Sequence, residues 1–151
     1  MGQEMGFMTE EERQSLIGYL FAEKCSCVIR NGKDIRVFRE RGVKDLYRLL
    51  KEEPEFLKGA FVADKIVGKA AAALMILGGV KELFAGVVSF PALELCRKTG
   101  LRMDYTHEVP YIINRTQTDW CPLEIRCKDL QTPEECRIKI EEFINMQSKN
   151  Q

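Results

Sequence analysis

Ala63-Asp64-Lys65-Ile66-Val67-Gly68-Lys69-Ala70-Ala71-Ala72 is the stretch on which the reading of this chain turns. It opens a run that stays apolar on nearly every face through Leu77. A helix that is apolar all round is a buried helix. Taken as one helix, the stretch has Asp64 as its N-cap and Lys65, Gly68 and Lys69 in its first turns. Lysine is unfavourable at the positive end of a helix dipole and is seldom buried without a partner. Two lysines one turn apart share a face, so they predict an anion nearby, either a carboxylate of the protein or a ligand. Gly68 inside that helix weakens it by about 1 kcal/mol relative to alanine. That cost predicts close approach of a strand, or of a ligand.

The flanks supply the rest of the fold. Residues 1–8 read as a tail. Thr9 and Glu12 form a capping box ahead of an amphipathic helix over Glu10 to Lys24, with Leu16, Ile17, Leu20 and Phe21 on one face. Cys25 to Arg30 and Asp34 to Phe38 are short β-prone runs around Asn31-Gly32, a strong hairpin signal. Val43 to Glu53 is a second amphipathic helix closed by Pro54, and Leu57 to Val62 leads into the buried helix, which ends at Gly78-Gly79. Leu83 to Ser89 reads as a buried strand. Pro91 and Gly100 bracket a helix, and Leu101 to Val109 is another strand. Pro110 to Asp119 is turn-rich. Pro133 to Gln147 is a terminal amphipathic helix. Strands alternating with helices after a hairpin predict a single α/β domain over residues 9–151, a three-layer α/β/α sandwich with a mixed sheet.

Composition excludes several classes of function. The 23 basic and 23 acidic residues cancel, so no net field draws nucleic acid or an anionic membrane. The longest apolar run, Ala70 to Leu77, falls far short of the roughly 20 residues that span a bilayer. The first residues carry neither a signal-peptide pattern nor a myristoylation signal, and a cytoplasmic location is expected. Six cysteines without a C-x-x-C pair read as reduced, mostly core residues. With His107 as the single histidine, no metal-ligand spacing emerges, and neither a metal nor a cofactor is expected.

Ala63-Asp64-Lys65, Ser89-Phe90-Pro91-Ala92-Leu93-Glu94-Leu95, Pro110-Tyr111-Ile112-Ile113-Asn114-Arg115 and Cys121-Pro122-Leu123-Glu124 together resemble a bacterial and archaeal family of unknown function with a cytidine-deaminase-like fold. The resemblance runs from about Cys27 to the C-terminus and implies that fold without implying an activity. Zinc deaminases use H-x-E at one helix start and P-C-x-x-C at the next. Here Ala63-Asp64-Lys65 and Pro91-Ala92-Leu93-Glu94-Leu95 look like the counterparts. Ala63, Ala92 and Leu95 stand where the ligands would be, and Lys65 stands where the proton-shuttling glutamate would be. Catalytic zinc needs three protein ligands, so zinc-dependent deamination is not expected.

The candidate site residues follow from this placement. Asp64 is a helix cap or a base. Lys65 and Lys69 bind an anion, pair internally, or (for Lys65) act as a nucleophile. Ser89 and Phe90 end a strand beside the same crevice. Asn114 and Arg115 follow an apolar segment that looks tucked in, and Arg115 suits a bidentate phosphate or carboxylate contact. Cys121 is a candidate thiol, and Glu124 a partner for Arg115 or Lys65. The leading expectation is a zinc-free crevice that binds a small anionic or nucleotide-like ligand. Its rivals are a structural or interaction module, oligomeric in one version, whose charges form internal salt bridges, and a zinc-independent enzyme using Asp64 or Lys65.

Overall fold

The deciding stretch splits in two at Gly68. In the computed structural model, which describes residues 7–40, 42–113 and 119–149, Phe61–Val67 is a strand and the helix begins only at Lys69. Aromatic and β-branched side chains fill the first half, where a pleated sheet suits them. The alanines that favour helix start at Ala70. A strand buried on both faces in a parallel sheet is as continuously apolar as a buried helix, so periodicity alone joined the two. Asp64 and Lys65 are therefore strand residues rather than a helix cap and first turn. Gly68 is the N-cap of the helix, not an interior position.

In chain order the elements are α1 (Glu10–Ala22), β1 (Cys27–Asn31), β2 (Asp34–Phe38), α2 (Lys44–Glu52), α3 (Pro54–Leu57), β3 (Phe61–Val67), α4 (Lys69–Gly78), β4 (Glu82–Ser89), α5 (Phe90–Thr99), β5 (Arg102–Val109), α6 (Pro122–Cys127) and α7 (Pro133–Lys149). One five-stranded sheet has the order β2-β1-β3-β4-β5. β1 runs antiparallel to β2 and to β3, while β3, β4 and β5 are mutually parallel. The sheet is thus mixed and flanked by helices, as the alternation of elements required. The hairpin forms with Asn31 paired to Asp34, so Gly32-Lys33 is the turn and Gly32 supplies its positive φ of 62°. Asn31 instead donates from Nδ2 to the carbonyl oxygens of Phe56 and Lys58 at 2.9 Å each, tying the hairpin to α3.

The two faces of the sheet are covered unequally. On one side α1, the one helix there among the described residues, packs Leu16 and Leu20 against Val28, Phe61 and Ala63. Its capping box is present: Glu12 N–H donates to Thr9 Oγ1 at 3.1 Å, and Thr9 N–H to Glu12 Oε1 at 2.9 Å. Met8 is buried in the same cluster. The other face holds the main core, in which α4 is buried along almost its whole length. α2, α5 and α7 pack around it; Cys136 and Ile140 of α7 are fully buried, and Phe143 and Ile144 are half-buried against the same core.

Two helical glycines separate packing from propensity. A Cβ at Gly78 would lie 2.8 Å from Leu57 Cδ1, whereas one at Gly18 meets nothing within 4 Å. Gly78→Ala is expected to destabilise the protein by about 1–3 kcal/mol through overpacking. Gly18→Ala is expected to stabilise it by about 0.5–1 kcal/mol through helix propensity. Urea unfolding of the two variants checks both signs.

Candidate functional site

A cavity of about 880 Å³ opens between the β1–β2 hairpin, the starts of α2 and α4, and the segment that leads into α6. Its apolar walls include Ile29, Phe38, Ala71 and Leu123. Asp64, Lys65, Cys121 and Glu124 of the expected site line it, together with Gly68. The helix starts that face it are those of α2 (Val43, Asp45), α4 (Gly68, Ala70) and α6 (Cys121, Pro122). Sequence reading placed the second start at α5. Ser89 and Phe90 are not among the lining residues. Ser89 is fully buried, and its Oγ accepts from Ala92 N–H at 3.3 Å as the cap of α5. Phe90 is largely exposed. Asn114 and Arg115 lie outside the described residues.

Each of the expected charges has its own task. β3 carries Asp64 opposite Cys27 of β1 and Ala85 of β4. Asp64 is 9% exposed. Its Oδ1 accepts from Ile66 N–H at 3.2 Å, and among the described residues it forms no ion pair. Burial pushes its carboxyl up to about 7, against the smaller opposing pull of the Ile66 and Lys65 backbone N–H groups. Burial and the neighbouring Asp64 also push the Cys27 thiol well above its usual range, so Cys27 is a neutral thiol in the cavity wall. Lys65 does not join Asp64. Its Nζ donates to the Glu23 carbonyl oxygen at 3.3 Å, a cation at the negative end of α1.

Lys69 and Glu124 complete each other's surroundings without forming a salt bridge. Glu124 is 2% exposed. Its Oε1 accepts from Lys69 N–H at 2.8 Å and its Oε2 from Ile112 N–H at 3.0 Å. The anion expected at this helix start is thus the protein's own carboxylate. The Lys69 ammonium runs the other way and donates to the carbonyl oxygens of Lys128 at 3.2 Å and Leu130 at 2.5 Å. Gly68 has no side chain to cap α4, and a Cβ there would come within 3.2 Å of Glu124 Oε1. The close approach expected at Gly68 is therefore that of a carboxylate and of Ile112. Tyr111 and Ile112 after β5 are half-buried while Ile113 is exposed, and Tyr111 and Trp120 stack with ring centroids 4.4 Å apart.

The sequence reading overlooked the hairpin side of the cavity. Lys24, Arg39 and Asp45 line it, and the first two are exposed at its edge. Their only signal was position: they flank β1, β2 and α2, and nothing in their spacing announces a site. Among the described residues, no three His, Cys, Asp or Glu side chains are grouped to hold a metal ion.

Residues 15–144 match the model of a family described as a domain of unknown function, DUF1893 (TM1506). The structure is similar to the crystal structure of a DUF1893 family protein, TM1506, from Thermotoga maritima. The identity is 26% and the TM-score 0.81, over 89% of this chain and 91% of that one. No curated protein matches the chain.

Two variants test this geometry. Glu124→Ala leaves the Lys69 and Ile112 N–H groups unpaired in a buried place and is expected to cost about 2–4 kcal/mol in chemical unfolding, with Glu124→Gln milder. For Asp64, the folded-state value of about 7 lies above the ordinary 3.8. The folded protein therefore holds an extra proton between these values, and stability falls as pH rises through that window. The loss is at most about 4 kcal/mol. Asp64→Asn is expected to lie closest to wild type near pH 4, at the lower end of that window, and to exceed it by a margin that grows up to about pH 7 and then stays level, in thermal melts.

Proposed function

This chain belongs to the DUF1893 family, a domain of unknown function, and from that premise we propose that the cavity beside Asp64 holds a nucleotide-like small molecule. The observation that carries the reading is the buried Asp64 carboxyl, without an ionic partner among the described residues, on the wall of an apolar cavity of about 880 Å³. Small-molecule sites have this volume range and this pattern of apolar walls with few polar groups. A carboxyl that titrates near neutrality can either donate to a ring nitrogen or accept from a ring N–H or amino group. Ile29, Phe38 and Leu123 supply surfaces for the faces of a ring.

The anionic end of the ligand belongs at the rim. The interior presents the carboxyl groups Asp64 and Glu124, which repel a phosphate, whereas Lys24 and Arg39 stand exposed at the edge. Arg39 donates from Nη1 to the Lys24 carbonyl oxygen at 2.9 Å, using one of the five N–H donors of its guanidinium. Lys65 and Lys69, the cations first expected to bind it, are engaged with backbone carbonyl groups. A cytidine-deaminase-like ancestry remains part of the proposal, supported by the helix starts of α2 and α4 that, with that of α6, face the cavity. The zinc chemistry of that family is not carried over. The first turns of α2 (Lys44-Asp45-Leu46-Tyr47) and α4 (Lys69-Ala70-Ala71-Ala72) hold no histidine or cysteine. The structural reading is favoured for Lys69 and Glu124, whose hydrogen bonds are all internal, and not for Asp64.

Thermal shift and calorimetric titration with nucleosides, nucleoside monophosphates and inorganic phosphate test the proposal. Monophosphates are expected to bind most tightly and to raise stability by about 2.7 kcal/mol at a hundred times the dissociation constant. Arg39→Ala is expected to weaken monophosphates but not nucleosides. Ala71→Phe, which fills the cavity, is expected to abolish both while the circular dichroism stays native. Absence of binding by every nucleoside and nucleotide to the folded wild type would overturn the reading.

A further inference from the structure

We propose that β5 is the interface of a homodimer, in which two copies join edge to edge into one continuous sheet. β5 is the last strand of the sheet and, among the described residues, has β4 as its single neighbour. Six of its eight residues are exposed, so the strand is open on both faces as well as along its edge. A long open edge is a template for another strand. It carries no proline and no lysine, and its charged residues are Arg102, Asp104 and Glu108; charges on an edge discourage pairing unless the partner strand opposes them with the opposite sign. The opposite edge, β2, is shorter and is guarded. Arg36 bridges Asp34 and Glu53 there, and its guanidinium lies 3.9 Å over the Phe56 ring.

The occupant is a second copy because the strand is complementary to itself in the register that pairs nearly its whole length. Symmetry-related edge strands pair antiparallel about a two-fold axis perpendicular to the sheet. Residues directly opposite one another share a face, so the axis must pass through a residue. Centred on Asp104, the pairing sets two aspartates face to face. Centred on Thr106, it sets Asp104 against Glu108. Centred on Tyr105, it sets Arg102 against Glu108 twice, Asp104 against Thr106, Met103 against His107, and Tyr105 against itself. Opposite charges directly across a strand pair are favourable and like charges are not. Centres at Met103 and His107 also avoid like charges but pair only residues 102–104 and 105–109 of the strand, against 102–108 for Tyr105, so the Tyr105 register wins.

The faces agree with this register. Arg102 and Asp104 lie beside Glu82 and Phe84 of β4. Arg13 of α1 bonds both Glu82 and Asp104 at 2.7 Å, which places Arg102, Asp104, Thr106 and Glu108 on the α1 side. Tyr105 lies on the other side and is 37% exposed. In the dimer the two tyrosines meet at the axis, where each covers the other's ring, and the four charged residues form two cross-strand pairs on the α1 side.

Sedimentation across the micromolar range is expected to show a dimer for wild type. Arg102→Glu and Glu108→Arg are each expected to weaken it about tenfold or more with circular dichroism unchanged, because each sets like charges across the axis twice. An equimolar mixture of the two variants restores both pairs and is expected to dimerise like wild type. Tyr105→Cys is expected to form a covalent dimer under mild oxidant, since directly opposed Cα atoms lie about 4.5–5.5 Å apart, within disulfide reach. Thr106→Cys and wild type are expected to form none. A wild type that remains monomeric would overturn the proposal. So would a dimer that survives both charge reversals, or a mixture of the two variants that stays dissociated.

Discussion

The structure depends on one carboxylate. Glu124 holds the first N–H of α4 with one oxygen and the Ile112 N–H with the other, at 2.8 and 3.0 Å. α4 is the central helix of the main core, and its N-cap is a glycine that offers no oxygen of its own. A helix start buried without a cap leaves donors unsatisfied. Glu124 removes that cost from a distance of more than fifty residues in sequence. By doing so it fixes where α6 sits, where the segment after β5 returns, and hence one wall of the cavity.

The opposite wall follows from the strand order. β1 enters between β2 and β3, so the hairpin stands beside the carboxyl end of β3 and not at a distant edge. Asp64 faces the cavity. Lys65, the next residue along the strand, reaches the end of α1 on the far face. The alternation of a strand therefore separates two neighbours that a helix would have kept together. One is left to titrate in an apolar place, while the other neutralises a helix end.

Much of this was legible from residues. The Thr9–Glu12 box, the hairpin, the bracket of α5 between Pro91 and Gly100 and the mixed sheet all carry local signals of turn or cap chemistry, and all are found. The boundary at Gly68 was not legible, because a strand buried on both faces and a buried helix share an unbroken apolar pattern. That single slip carried Asp64 and Lys65 onto a helix and drew α5 into the site. An anion does lie at the start of α4, but it is Glu124 on the Lys69 backbone N–H and not, as expected, a partner for Lys65, because both lysine ammonium groups turn to carbonyl oxygens. The cavity's hairpin wall was equally silent, since Lys24 and Arg39 differ in no sequence property from other surface cations.

The unequal covering of the sheet has a consequence for how the molecule comes apart. Among the described residues α1 is the sole helical cover of its face, and the cluster beneath it is small beside the main core. Arg13, with its grip on Glu82 and Asp104, and Lys65 at the helix end are the polar rivets of that cover. Proteins open in cooperative units of differing free energy, and α1 has the makings of the first to leave. Its departure would bare Val28, Phe61 and Ala63 while α4 and its surroundings stayed shut. Slow amide exchange should therefore concentrate on α4, β3 and β4, with α1 exchanging as a separate, faster block.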